Sequence, residues 1–160
     1  MQLRTHSPRQ FLGRLSGAES GQALTELGLV MPVLVLMLLG AVELARVAYV
    51  AIEVSNAAHA GAQYGAQSIF YATDTTGIQN AAANDAANIT LASTTPTLTY
   101  TCSDGTTPSG SPLTCASSTA TVEGMLTVVT TASFNPFFHV GGLGTTFTLT
   151  GRDQQTVLLQ

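Results

Sequence analysis

The chain has 160 residues, of which 45% are hydrophobic and only 9% charged, with no lysine; it is too apolar and too thinly charged for a typical soluble domain of this size. Its net charge of -4 includes no basic patch and no interleaving of aromatics with arginine, so nucleic acid is not an expected partner.

Charge placement orients the chain. Arg4, Arg9 and Arg14 precede a long apolar run, and only Arg46 and Arg152 follow it. The positive-inside rule then predicts a cytoplasmic segment at 1–21 and export of what lies beyond the run. Leu27 to Val42 is uncharged and would make about 24 Å of helix, short of the roughly 30 Å hydrocarbon core. Starting at Gln22 gives about 31 Å and predicts a transmembrane helix over 22–42, with Glu26 in its first turns. Two readings of Glu26 stand at this point. A carboxylate at the headgroup boundary is favoured by the helix dipole; alternatively, it is carried into the membrane to meet a partner. Pro32 removes one backbone hydrogen bond inside the span, which predicts a kink or local loosening. A cleaved secretory signal is the competing reading, but the run is longer than its apolar core and Leu39-Gly40-Ala41-Val42-Glu43 is a weak cleavage site.

Helical patterning continues beyond the run. Leu44, Val47, Ala51, Val54, Ala58, Ala62, Gly65 and Ile69 recur at spacings of three or four, and none is charged. Glu43, Arg46 and Glu53 fall to the side of this stripe, with Glu43 and Arg46 spaced to pair. One continuous helix from about 22 to about 70 is predicted, its second half, 43–70, amphipathic. The small residues from Ala57 to Ala66 permit close backbone approach, either by the chain's own globular domain or by other subunits.

Past residue 72 threonine, serine, glycine and proline become dense, which suits short strands and turns. A turn at Asp74-Thr75-Thr76-Gly77 and a short helix over Ile78 to Ile89 come first. Period-two alternation follows: Leu98, Tyr100 and Cys102 share one face, Ala120 to Val128 another, and Phe147 and Leu149 alternate with threonines. A last strand is expected at Val157 to Leu159. The segment 71–160 therefore reads as an exported α+β domain with a small antiparallel sheet, and the striped helix is its nearest cover.

Cys102 and Cys115 flank a turn-rich loop and, in an exported domain, are expected to form a disulfide worth roughly 3 kcal/mol; two free thiols are the alternative. No further ligand completes a zinc set. His6, His59 and His139 are isolated, and no nucleophile elbow, metalloprotease pair or phosphate loop is present, so neither catalysis nor a cofactor is expected. Asn88-Ile89-Thr90 fits a glycosylation sequon, a pattern that also arises by chance.

A polar leader with arginines, then Gly21, then Gln22-Ala23-Leu24-Thr25-Glu26 and an apolar helix, resembles the type IV prepilin signature. More narrowly, residues 21–66 resemble the amino-terminal region of TadE-like proteins, minor pilins or pseudopilins of the tight-adherence (Tad, Flp) pilus. The features that carry this are Glu26 and Pro32, the acidic and basic pair Glu43 and Arg46, and the alanine-rich helix. The tail FNPFFHVGGLGTTFTLTGRDQQTVLL resembles, more loosely, the family's closing Pro-aromatic turn and Thr-rich strand. The resemblance implies a pilin-like fold, cleavage by a prepilin peptidase between Gly21 and Gln22, and assembly roles for Glu26 and Pro32. It also implies partners: the lipid bilayer, the major pilin and other minor pilins, and the inner-membrane assembly platform. Cleavage would leave a positive amine on Gln22, and the resemblance implies that Glu26 pairs with such an amine on a neighbouring subunit, since a charge in low dielectric is tolerated chiefly when paired. The expectation is a bitopic, nonenzymatic assembly protein of the cytoplasmic membrane that initiates, caps or decorates a Tad-type pilus and supports adhesion. A membrane-anchored adhesin that never enters a filament is the alternative.

Overall fold

The computed structural model describes residues 19–137 and 146–157. Arg4, Arg9, Arg14, His6, His139, Leu158 and Leu159 lie outside the described residues, as does most of the expected leader. Among the described residues three helices precede three strands: α1 (Glu19–Ala66), α2 (Ile69–Thr73), α3 (Thr75–Asp85), β1 (Leu91–Cys102), β2 (Val122–Phe134) and β3 (Phe147–Val157). The chain divides into two units, Met1–Val42 and Glu43–Gln160, with α1 passing through the boundary. The architecture is α+β, as the change of period from helical to two predicts.

In the second unit the strands form an antiparallel sheet in the order β1-β2-β3, with β2 central. Alternation along β2 turns Gly124, Leu126, Val128, Thr130, Ala132 and Phe134 inward, and all are buried. The residues of α1 from Val54 onward cover this face. Ala62, Ala72, Ile78, Leu126, Val128 and Val157 make one core cluster, joined by Tyr64 and Leu98. Ala57, Ala82 and Ala86 make a second, flanked by Ile89 and Leu91. Small side chains set the spacing between layers. A Cβ on Gly61 would stand 3.2 Å from Ile78 and 3.3 Å from Val128, tighter than ordinary contact. So the alanine and glycine positions of the second half of α1 do pack on the chain's own domain, the first of the two options open from sequence.

The stripe itself is corrected in part. Val54, Ala58, Ala62 and Gly65 are buried, whereas Leu44 and Ala51 are exposed although they continue the stripe. The long helix stops at Ala66 and not near 70, because Ser68 opens a new helix, its backbone extended and its Oγ accepting from the Tyr71 N–H. The expected turn at 74–77 is instead the start of α3. Asp74 is its N-cap, with Oδ1 accepting the Gly77 N–H at 2.9 Å, and α3 ends at Asp85, short of Ile89. Its buried residues Ile78 and Ala82, with Ala86 just beyond, recur at one-turn spacing. β1 begins seven residues earlier than its Leu98 signal and contains Pro96, which an edge strand tolerates. β2 starts after Ala120 and runs on to Phe134, and Val157 closes β3 instead of opening another strand.

Cys102 and Cys115 form the expected disulfide, which ties the later half of the β1–β2 loop back to the end of β1. Within that loop Ser109 and Thr114 exchange backbone hydrogen bonds of 3.0 and 2.9 Å.

Candidate functional site

Among the described residues, the first unit presents an apolar helix with no buried side chain. From Leu24 to Val42 the large side chains are exposed, Leu29 to 79%, save Leu39, which is half-buried, and none is fully buried among the described residues. Transferring that surface from water into an apolar phase is favourable by on the order of 10–20 kcal/mol, well above the roughly 3 kcal/mol that a single intramembrane carboxylate costs. Helix α1 is the one described helix long and apolar enough to cross a bilayer.

Gly21, Gln22 and Glu26 all lie in the first turns of α1, so the Gly21–Gln22 bond is inside the helix and not just ahead of it, as a helix starting at 22 would have it. Spacing of four residues puts Gln22 and Glu26 on one face, and Gln22 Nε2 donates to Glu26 Oε1 at 3.0 Å. Thr25 Oγ1 donates to the Gln22 carbonyl at 2.7 Å. The remaining acceptor capacity of the carboxylate has no partner among the described residues. Pro32 stays within unbroken α1; it has no N–H to give the Gly28 carbonyl one turn back. Six residues separate Glu26 from Pro32, about one and two-thirds turns, so the two assembly candidates fall on different sides of the helix and do not form a joint site.

The second unit begins with an ionic and aromatic cluster. Arg46 Nη1 meets Glu43 Oε2 at 2.9 Å, the pairing expected from their spacing. The other Glu43 oxygen, Oε1, accepts the Phe137 N–H at 3.0 Å. The Arg46 guanidinium lies 3.6 Å from the Phe137 ring centre and 5.1 Å from that of Phe134. Glu43 is 17% exposed and Arg46 34%, so the sequence reading that sets both to the side of the packed stripe is corrected: they hold the turn after β2.

Farther along α1, the Val54 carbonyl accepts a 2.7 Å hydrogen bond from the buried Thr130 hydroxyl. Opposite it, Gly151 of β3 passes so close that a Cβ there would stand 2.7 Å from the Val54 carbonyl carbon and 2.8 Å from Ser55 Cα. His59 Nδ1 is 2.8 Å from Asp153 Oδ2, and Gln63 Nε2 is 2.7 Å from His59 Nε2. Burial works against the Asp153 carboxylate, but hydrogen bonds from Gln155 and His59 outweigh it and hold Asp153 below the usual carboxylate range. His59 is thus a joint between α1 and β3, with no nucleophile in this network.

At the end of α1, the Tyr64 hydroxyl donates to Asp74 Oδ2 at 2.8 Å, and the Tyr64 and Tyr71 rings meet edge to face with centres 5.1 Å apart. The Gly77 N–H, followed by the Tyr64 hydroxyl, lowers the Asp74 carboxyl from its ordinary value; the same bond raises Tyr64. A depressed folded-state value means that the stability from Asp74 is present above the unfolded carboxylate value of about 3.9 and is lost as pH falls through the folded one. Stability of the detergent-solubilised chain should therefore decline below about pH 4. Asp74→Asn, which keeps a cap acceptor but does not titrate, should flatten that acid limb without removing it, because Asp153 contributes in the same direction. Urea midpoints measured from about pH 2 to 6 check this. An identical acid limb in the variant would show that Asp74 carries none of it.

No group of three His, Cys, Asp or Glu side chains is placed to hold a metal among the described residues. What the geometry supplies is an exposed apolar helix with an under-partnered carboxylate near its start, and beyond it a domain clamped to the same helix by Glu43, Arg46, Val54 and His59.

Residues 21–63 match the family of TadE-like proteins. The matched segment takes in Gly21, Gln22, Glu26, Pro32, Glu43, Arg46 and the packed alanines up to Ala62, and it is consistent with a TadE-like protein of the Tad pilus system. Among curated proteins and among solved structures, nothing matches the chain. The TadE-like segment thus supplies the whole apolar helix and most of the helical half of the helix–sheet seam. Its partners across that seam, Thr130, Phe134, Phe137, Gly151 and Asp153, lie outside the matched residues. Phe134, Phe137, Gly151 and Asp153 fall within the tail that carries the looser resemblance, but the sequence assigns none of the five a contact with α1. A lone Gly151 inside a Thr-rich strand is an available signal of close backbone approach; the others give none without knowledge of the pairing.

Proposed function

We propose that this chain is a minor pilin or pseudopilin of a Tad-type pilus, made as a precursor, cleaved between Gly21 and Gln22, and held in the cytoplasmic membrane by α1 over 22–42 with its C-terminal domain outside. The observation that carries the reading is the exposed apolar helix headed by Glu26, inside a TadE-like segment that opens at Gly21. The disulfide supports export, since such bonds persist in oxidising compartments. In this reading the prepilin peptidase acts first. Glu26 then pairs with the freed amine of a neighbouring subunit, the assembly platform extracts the helix, and the chain initiates, caps or decorates a filament of major pilin that supports adhesion.

Gly21→Ala tests the first step cleanly, because a Cβ at Gly21 meets nothing within 4 Å and so leaves the fold unchanged. Mass spectrometry of the purified wild type should find a mature N-terminus at Gln22, and the variant should migrate as a longer, unprocessed species. A wild-type chain that keeps Met1 to Gly21 would overturn the pilin reading in favour of a membrane-anchored adhesin that stays out of the filament.

A further inference from the structure

We propose that the end of the exported domain around Phe137 rests in the headgroup layer of the membrane, so that the chain touches lipid through a turn of its globular domain as well as through α1. This rests on the reading that 22–42 spans the bilayer. Glu43 follows Val42 by one peptide bond, and Glu43 to Arg46 make the first helical turn beyond the span. That turn grips the Asn135–Phe137 segment at two points, the Phe137 N–H on Glu43 and the Phe137 ring on Arg46. The clamp ties the turn after β2 to the residues with which the helix leaves the hydrocarbon.

The chemistry of this end suits an interface. Phe137 is 69% exposed although one side of its ring is stacked on Arg46. Phe147, directly opposite Phe134 in the sheet register, is 40% exposed, and Leu44 is 73% exposed. These three apolar side chains belong to the segments nearest the end of the span in sequence or in sheet register, where a lipid surface would cover them. The neighbouring charges cancel, since Glu43 and Arg46 pair. An aromatic ring stacked on a guanidinium whose charge is met by a neighbouring carboxylate joins an apolar surface to a polar one, as the membrane–water boundary requires. Two further large apolar side chains of α1 in this unit are exposed, Tyr49 at 47% and Ile52 at 59%, roughly 9 and 14 Å beyond Glu43, and Phe70, at 73%, sits on α2 after α1 has run roughly 34 Å beyond Glu43.

The chain contains no tryptophan, so single-tryptophan reporters are unambiguous. Phe137→Trp keeps a ring that stacks well on arginine; Phe147→Trp is a second reporter of the same end should the first not fold. Phe70→Trp reports the far end, and Leu36→Trp the span. Each full-length variant is placed in phosphatidylcholine nanodiscs whose acyl chains are brominated near the headgroup or near the bilayer centre. The expected result is loss of emission from F137W and F147W with shallow bromines and little with deep ones, quenching of L36W by deep bromines, and none of F70W. If L36W is quenched while F137W and F147W are not, the inference falls and the membrane span stands. A blue-shifted F137W emission that bromines leave untouched places a protein on the ring and overturns the inference equally. If L36W itself is untouched by either lipid, the span reading fails and takes this inference with it.

Discussion

Gly151→Ala should unfold the α+β domain at a temperature on the order of 10–20 °C below wild type, a loss of about 3 kcal/mol at the upper end of ordinary overpacking. The added methyl would have to occupy space held by the Val54 carbonyl carbon at 2.7 Å and Ser55 Cα at 2.8 Å. Those are backbone atoms in the interior of α1, so no side-chain rotation makes room. Relief requires α1 and β3 to separate, and separation lengthens the Thr130 hydroxyl bond to the same Val54 carbonyl and the His59–Asp153 contact. The methyl therefore acts on packing and two polar contacts together. Gly40→Ala is the control: nothing lies within 4 Å of a Cβ there, and alanine favours helix. Thermal unfolding followed by circular dichroism in detergent distinguishes the two. A Gly151→Ala midpoint equal to that of Gly40→Ala would mean that the helix–sheet seam is looser than the distances indicate.

The same seam marks what a sequence reading reaches and what it does not. The long helix is legible because its signal is local: an uninterrupted apolar run followed by small and apolar residues at turn spacing. The Glu43–Arg46 pair and the disulfide are legible for the same reason, the first from i, i+3 spacing and the second from two cysteines bracketing turn residues. Cover is not local. Leu44 and Ala51 continue the stripe yet are exposed, while Glu43, Arg46, Val47 and Val50 beside them are partly covered, because spacings of three and four fix a face only to within part of a turn. The break at Ser68 escapes for a related reason. Ile69 continues the stripe, while the competing signal, a serine able to cap the next turn, is worth only about 1 kcal/mol and looks unexceptional in a helical run.

Polar residues at inward positions are the other blind spot. Thr130 stands where alternation calls for an apolar side chain, and it is buried because its hydroxyl finds Val54, 76 residues away. The Phe137 N–H reaches Glu43 across 94 residues. Long-range partners of this kind satisfy buried polar groups and fix register, and no window of sequence contains both ends. The TadE-like match at 21–63 holds the helical ends of these contacts, and the sheet ends lie wholly outside it. The helix has to be apolar, small-sided and correctly charged at a few points, whereas the strands that cover it need only alternate and place a hydroxyl, a glycine and an aromatic turn at the right heights.

Glu26→Ala should leave membrane insertion intact, or improve it by about 3 kcal/mol, while cutting surface piliation by roughly two to three orders of magnitude. The opposite signs follow from one carboxylate in two settings. In a lone chain Glu26 is a burden: it is exposed on a helix that otherwise suits hydrocarbon, and its described side-chain bond is the 3.0 Å one from Gln22 Nε2, which leaves charge uncompensated. In an assembled filament the proposed partner is the amine that cleavage creates on a neighbour, and removing one member of a buried pair costs about 3–5 kcal/mol because the other charge is left alone. At about 1.4 kcal/mol per decade, that is roughly a 100- to 1,000-fold loss or more in subunit association. Glu26→Gln separates charge from hydrogen bonding, since the amide can still engage Gln22 but cannot neutralise an amine. If charge is what matters, both variants fractionate with membranes at wild-type levels and both are depleted from the sheared surface fraction. If Glu26→Gln piliates normally, hydrogen bonding suffices; if Glu26→Ala does too, the carboxylate has no part in assembly and its place at the head of the span reflects the helix dipole alone.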